Sequence, residues 1–236
     1  MKLLVSPVNL EEAKAAIAGG ADIIDVKNPN EGSLGANFPW VIKEIKSIVP
    51  CGVELSATIG DFPHLPGTAS LAARGAASCG VDYVKVGLLG PRDKAEGVEL
   101  MKAVVRAVKE SNPKINVVAC GYADHWTTNS VSYTDVPEIA ESSGAGLAMI
   151  DTLGKKGGSL FEFMSKSDLA AFVENAQNRS LLTAVGGSIA VKQLKDVYDA
   201  DVDIIGVRGA VCSNGRDSAI VEEKVRKFKD AVSRLE

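Results

Sequence analysis

The sequence predicts an α/β fold, a single-domain (β/α)8 TIM barrel over residues 1–236. Three observations predict it. Short runs rich in Val and Ile alternate with helical runs along the whole chain, the pattern of a parallel sheet covered by helices. The alternation repeats eight times in 236 residues, which suits the shorter barrels of this class. The even strands also echo one another. Gly20-Ala-Asp-Ile-Ile-Asp-Val-Lys27 is followed at intervals of about 60 residues, a quarter of a barrel, by Gly80-Val-Asp-Tyr-Val-Lys-Val-Gly87, Gly144-Ala-Gly-Leu-Ala-Met-Ile-Asp151 and Asp201-Val-Asp-Ile-Ile-Gly-Val-Arg208. An open doubly wound sheet competes, but no Gly-rich dinucleotide fingerprint follows the first strand.

Residues 2–5 read as strand one. Asn9 is placed to cap the next helix, Glu11 and Glu12 favour its first turn, and Gly19-Gly20 closes it. Strand two is the run of Ile23, Ile24 and Val26, ended by Asn28-Pro29. A loop rich in Gly, Asn and Ser covers 28–37. Pro39 then opens a helix carrying Trp40, Ile42, Ile45 and Ile48. Strand three covers 53–58. The loop 60–66 leads to an Ala-rich helix over about 68–78, and strand four covers 83–86. Residues 95–110 form a long amphipathic helix with Val98, Met101, Val104, Val105 and Val108 on one face. Strand five covers 115–120, a polar loop 122–132, and a helix 136–142. Strand six covers 147–150, then come a Gly/Lys loop and a helix over 167–176. Strand seven covers 181–185, with Gly186-Gly187-Ser188 behind it and a helix over 191–198. Strand eight covers 204–207, and the last helix runs over 218–235.

Composition narrows the class. Hydrophobic residues at 46% and charged residues at 24% are ordinary for a globular chain with a full core. A net charge of −4 supplies no basic field for nucleic acid or an anionic membrane, and 5% aromatics disfavours base-stacking surfaces. Cys51, Cys79, Cys120 and Cys212 are scattered, with no CxxC pair and only two histidines, so no metal site of familiar spacing is expected. Reduced, buried thiols in a cytoplasmic protein fit that usage. The apolar run in Met1-Lys-Leu-Leu-Val-Ser-Pro7 is too short for a signal peptide, and no run reaches membrane-spanning length. Barrels of this kind often associate, so a homo-oligomer is expected, although no stretch marks an interface. His64 and His125 read as exposed loop histidines.

Asp25 and Lys27 lie two apart on strand two and so share its inward side with Ile23, while Ile24 and Val26 face the other way. Chemistry in this fold sits at the carboxyl ends of the strands. Those ends carry Ser6, Asp25 and Lys27, Ser56 and Thr58, Lys85, Tyr122 and Asp124, Asp151, and Arg208 with Gly209. Lys27 and Lys85 stand within valine-flanked strands, where burial depresses an amine pKa toward a nucleophilic form. A structural ion pair, Lys27 with Asp25 for instance, is the plainer alternative. Asp25 and Asp151 are placed to orient an amine, shuttle its proton or stabilise an iminium, or else to lock the barrel as salt bridges. Lys155 lies in a Gly-rich loop, where a solvated lysine is the default, and Lys156 competes with it. Lysines with carboxylates, and no histidine at a strand end, suit Schiff-base carbonyl chemistry. Gly186, Gly187 and Ser188 after strand seven, and Arg208 and Gly209 after strand eight, place backbone N–H groups, a hydroxyl and a cation where such barrels hold phosphate. The expected ligand is a phosphorylated, carbonyl-bearing small molecule.

Several segments go further. Leu3-Leu-Val-Ser-Pro7, Asp25-Val-Lys-Asn-Pro29, Glu31-Gly-Ser-Leu-Gly-Ala-Asn-Phe-Pro-Trp40, Val84-Lys-Val-Gly-Leu88, Cys120-Gly-Tyr-Ala-Asp124, Met149-Ile-Asp-Thr152 and Gly206-Val-Arg-Gly-Ala210 closely resemble the (5-formylfuran-3-yl)methyl phosphate synthase family, also called 4-(hydroxymethyl)-2-furancarboxaldehyde-phosphate synthase. The resemblance runs nearly end to end. It implies a barrel lyase of methanofuran biosynthesis that joins two molecules of glyceraldehyde 3-phosphate, with loss of phosphate and water and without metal or organic cofactor. It also implies catalytic roles for Asp25, Lys27, Lys85, Asp151 and Lys155, with Lys27 as the Schiff-base lysine. Two phosphates enter, so a second anion site is expected, with the 28–37 loop a candidate for it. Another Schiff-base aldolase acting on a phosphorylated sugar, or a barrel that binds such a ligand without turnover, are the alternatives.

Overall fold

The computed structural model describes residues 1–154 and 158–235, and among them eight strands close into a barrel in chain order. They are β1 (Lys2–Val5), β2 (Ile23–Val26), β3 (Glu54–Pro63), β4 (Tyr83–Gly90), β5 (Asn116–Tyr122), β6 (Leu147–Asp151), β7 (Leu182–Val185) and β8 (Ile204–Val207). Neighbours are parallel, and β1 pairs β8 from Lys2↔Ile204 to Val5↔Val207, which closes the ring. The helices α1 (Leu10–Ala18), α2 (Pro39–Lys46), α3 (Pro66–Ala77), α4 (Lys94–Ser111), α5 (Val136–Ser143), α6 (Leu160–Phe163), α7 (Lys166–Gln177), α8 (Leu194–Asp199) and α9 (Glu222–Ser233) fill the crossovers.

Period-two alternation sorts each strand between two cores. Outward residues such as Leu3, Val5, Ile24, Val26, Val84 and Val86 join one cluster with the inner faces of the helices. Inward residues such as Leu4, Ile23, Tyr83, Val118, Leu147, Met149 and Ile204 fill the barrel interior. Full burial of each Leu, Ile or Val stabilises by roughly 1.5–3 kcal/mol. The Asn9 side chain accepts from the Glu12 N–H at 2.9 Å, the cap expected for α1.

Several boundaries differ from the sequence expectation. β3 and β4 run past the barrel rim and stay paired there, Asp61↔Gly87 and Pro63↔Gly90, with register shifts on either side of Asp61; the first spans Gly60, whose φ of 116° needs glycine. Much of the expected loop 60–66 is therefore strand. α2 stops at Lys46, before Ile48, with Pro50 close behind. α9 starts at Glu222 because residues 213–221 form a turn, tied by an antiparallel bridge between Cys212 and Ile220. The single turn α6 was not anticipated; the Ser159 N–H bonds the Glu162 carboxylate at 3.3 Å. Cys51 is exposed rather than buried, while Cys79, Cys120 and Cys212 are buried. His64 and His125 are half-buried, not exposed: His64 pairs with Glu99 at 3.2 Å, and His125 meets Trp126 and Tyr133 edge-on.

Candidate active site

β2 delivers Asp25 inward at its last turn of pleat, and register decides what meets it. Asp25 stands beside Ser56 on β3, and Thr58, two residues further on, stands beside Lys85 on β4. Asp25 is completely buried. Its carboxylate accepts from Ser6 Oγ at 3.0 Å, Ser56 Oγ at 2.7 Å and Lys85 Nζ at 2.6 Å. Burial by itself raises this carboxyl's pKa, but the charges of Lys85 and Lys27 and the hydrogen bonds from Lys85 and Ser56 outweigh it, so the net shift is downward. Lys85 is the mirror case. Burial pulls the amine down, yet Asp25, with Cys120 and Asp151, holds it above its ordinary value. The expectation that burial would free Lys85 as a neutral nucleophile is thus overturned: its partner at 2.6 Å keeps it an ammonium. Asp25 forms its ion pair with Lys85 rather than with its strand neighbour Lys27, although Lys27 still acts on it electrostatically.

Above this pair lies an open cleft lined by Ser6, Lys27, Lys85, Asp151, Gly186, Gly187, Ser188, Arg208, Gly209 and Arg216. Asp25 lies beneath it and does not line it. Lys27, 6% exposed, and Asp151, 3% exposed, reach the cleft from the ends of β2 and β6. Asp151 Oδ1 accepts from the Thr152 N–H at 2.7 Å. A methyl built on Gly186 would lie 3.1 Å from this carboxylate, tighter than ordinary van der Waals contact, so glycine lets β7 pass without pushing on Asp151. Gly187, at φ 96°, and Ser188, at φ 55°, turn the chain left-handed behind β7. Lys155 lies outside the described residues. The chain leading to it is clamped, for the buried Asp124 carboxylate accepts from the N–H groups of Leu153 at 2.9 Å and Gly154 at 2.8 Å.

Arg208 does not serve as the sequence reading expected. All five of its N–H donors have internal acceptors. Nε donates to Arg216 O at 2.8 Å. Nη1 donates to Ser6 O at 2.8 Å and Glu12 Oε2 at 2.7 Å, and Nη2 to Glu12 Oε1 at 3.2 Å and Ser218 O at 3.5 Å. Its guanidinium is a buried tie between β8, α1 and the 213–218 turn, with nothing left to offer a phosphate.

The other half of the mouth is closed. The 28–37 loop folds inward, and Leu34, fully buried, joins the interior cluster beside Tyr122. Ser33 Oγ donates to Thr152 O at 3.1 Å and Thr58 Oγ1 to Gly35 O at 2.7 Å. Asp61 accepts from the Leu34 N–H at 3.1 Å and from the Tyr122 hydroxyl. Burial, then Asp61, raises the Tyr122 phenol. A second phosphate at this loop would meet the Asp61 carboxylate, and the loop itself carries no lysine or arginine. Among the described residues no group of three or more His, Cys, Asp or Glu could hold a metal ion.

Set beside known proteins, residues 3–229 match the profile of one family, 4-HFC-P synthase. The chain belongs to this family. It is 52% identical to the (5-formylfuran-3-yl)methyl phosphate synthase of Methanocaldococcus jannaschii over 98% of this chain and 99% of that one, and 51% identical to that of Archaeoglobus fulgidus over the same shares. Among solved structures it is similar to 3-hexulose-6-phosphate synthase (TM-score 0.69, 19% identity, 98% of this chain and 100% of that one). It is similar also to KGPDC from Streptococcus mutans (TM-score 0.67, 18% identity, 99% and 98%). Those two likenesses establish the barrel alone.

Sequence reasoning missed three features of this family member's mouth: Leu34, Asp61 and Arg216. Asp61 carried no local signal, and Leu34, although it stands in the Glu31–Trp40 segment that carries the resemblance, gave no sign of its burial. Arg216 had one, a lone cation in the Ser213-Asn-Gly-Arg216 turn just after a strand end.

Proposed function

We propose that this chain joins two molecules of glyceraldehyde 3-phosphate into (5-formylfuran-3-yl)methyl phosphate, with loss of one phosphate and two waters, through a Schiff base on Lys27 in methanofuran biosynthesis. The observation that carries the reading is the shared cleft: Lys27, Lys85 and Asp151 face the same space as the glycine-lined ends of β7 and β8. Membership of the family, whose curated relatives bear that name, supports the reaction.

The chemistry follows from the surroundings. An unprotonated Lys27 Nζ attacks a triose carbonyl, and water leaves as the iminium forms. The iminium acidifies the neighbouring C–H; the enamine carbon so formed bonds to the carbonyl carbon of the second triose, and phosphate leaves by elimination, its C–O bond breaking on the carbon next to an acidified one. Asp151 is the carboxylate that faces the cleft and so takes the base role. Asp25 holds three donors and lies below, so its role is counter-ion to Lys85. Lys85, kept cationic, supplies fixed positive charge where oxyanion and phosphate charge develop. Lys155 would complete the proton-transfer set. Cytoplasmic residence belongs to the same reading, since the free cysteines suit a reducing compartment. So does self-association, for which the exposed, stacked Phe38 and Trp40 are candidates.

Borohydride trapping with glyceraldehyde 3-phosphate tests the proposal. A triose adduct on the Lys27 peptide is expected, together with absorbance of a conjugated furan aldehyde in turnover. Lys27→Ala should lose both while melting like wild type. An adduct that persists in Lys27→Ala, or that maps to Lys85, would sink the assignment.

A further inference from the structure

The N–H groups of Gly187, Ser188, Gly209 and Ala210, all at the cleft, donate to no acceptor among the described residues. Unpaired backbone donors converging from two loops form an anion cup, and such a cup binds best with a cation at its edge. Arg208 cannot be that cation, because its donors are spent. Arg216 lines the same cleft, is half-buried, and its guanidinium makes no ion pair or hydrogen bond among the described residues. Its placement is not left to chance. Arg208 Nε holds the Arg216 carbonyl at 2.8 Å and Nη2 holds Ser218 O at 3.5 Å, while the guanidinium is itself fixed by Glu12. A methyl built on Gly209 would lie 3.6 Å from Arg216 Cβ, so the turn rests directly on the β8 loop.

We propose that Arg216 grips the phosphate of one triose phosphate against the backbone N–H groups of the β7 and β8 loops, and that Arg208 is the positioning residue that aims it. An arginine suits this task, since its planar fork matches two phosphate oxygens. The role rests on the Schiff-base reading for its substrate but not for its binding chemistry, so two measurements separate them. Titration calorimetry with inorganic phosphate should show binding to the wild-type chain and about 10- to 100-fold weaker binding to Arg216→Ala, with Arg216→Lys in between. In borohydride trapping, the preference for glyceraldehyde 3-phosphate over glyceraldehyde, read as the ratio of half-saturating concentrations, should shrink by a similar factor in Arg216→Ala. Melting temperature checks the fold of each variant. If Arg216→Ala binds phosphate as wild type does, the proposal is wrong whatever the trapping shows. If phosphate binding falls as expected but no adduct forms even in the wild type, the anion site stands and the Schiff base fails.

Discussion

Asp25→Asn isolates the buried ion pair without changing side-chain volume. At 2.6 Å and an effective dielectric near 20, the attraction between Asp25 and Lys85 is roughly 6 kcal/mol. The amide keeps a neutral hydrogen-bonding group in place, so the net loss should be about 3–5 kcal/mol, the usual cost of stranding one buried charge. For a chain of this size that lowers the melting temperature by about 6–20 °C. The pH dependence is the sharper readout. In the wild type, the stability from Asp25 is present above the ordinary carboxyl value and is lost as pH falls through its lowered folded value. That from Lys85 is present below the ordinary amine value and is lost as pH rises through its raised folded value. The pair therefore contributes a flat profile from about pH 5 to 9. In Asp25→Asn, burial of Lys85 is no longer offset by its chief partner, and the folded amine falls below its unfolded value. The folded state then binds fewer protons, and stability rises with pH toward about 10.4, by up to roughly 1.4 kcal/mol per unit. Urea unfolding between pH 6 and 9.5 reads both effects. A variant that loses under about 1 kcal/mol and keeps a flat profile would refute the account of Lys85 as a charge held by Asp25.

Two further perturbations test neighbouring parts of the mouth. Glu12→Ala strands the Arg208 guanidinium, so it should cost about 3–5 kcal/mol in urea unfolding and weaken phosphate binding by loosening the Arg216 turn. Gly186→Ala pushes on the Asp151 carboxylate and should lower kcat by roughly 10- to 100-fold, while calorimetric melting moves by only a few degrees. Equal losses of kcat and of stability in that variant would point to general disruption.

The alternation of strands and helices, the inward side of Asp25 and the convergence of Lys27, Lys85 and Asp151 on one rim were legible in the chain. These follow from periods of 2 and 3.6 residues, which are local properties. Periodicity gives a side chain's direction but not its partner. Whether Asp25 pairs with Lys27, two residues away, or with Lys85, 60 positions later, depends on strand register across β2, β3 and β4, and the structure settled it for Lys85. The same holds for Arg208. Its place at a strand end suggested a phosphate ligand, but a carboxylate from α1, 196 positions away in the chain, claims its guanidinium and leaves Arg216 at the rim. Leu34 sealing half the mouth was likewise invisible, since a loop residue's burial is decided by whatever the fold brings over it. The chain by itself thus determined which elements form and which way they face. The closed barrel decided which charges are spent on one another and which remain for a substrate, because that depends on distances between groups far apart in sequence.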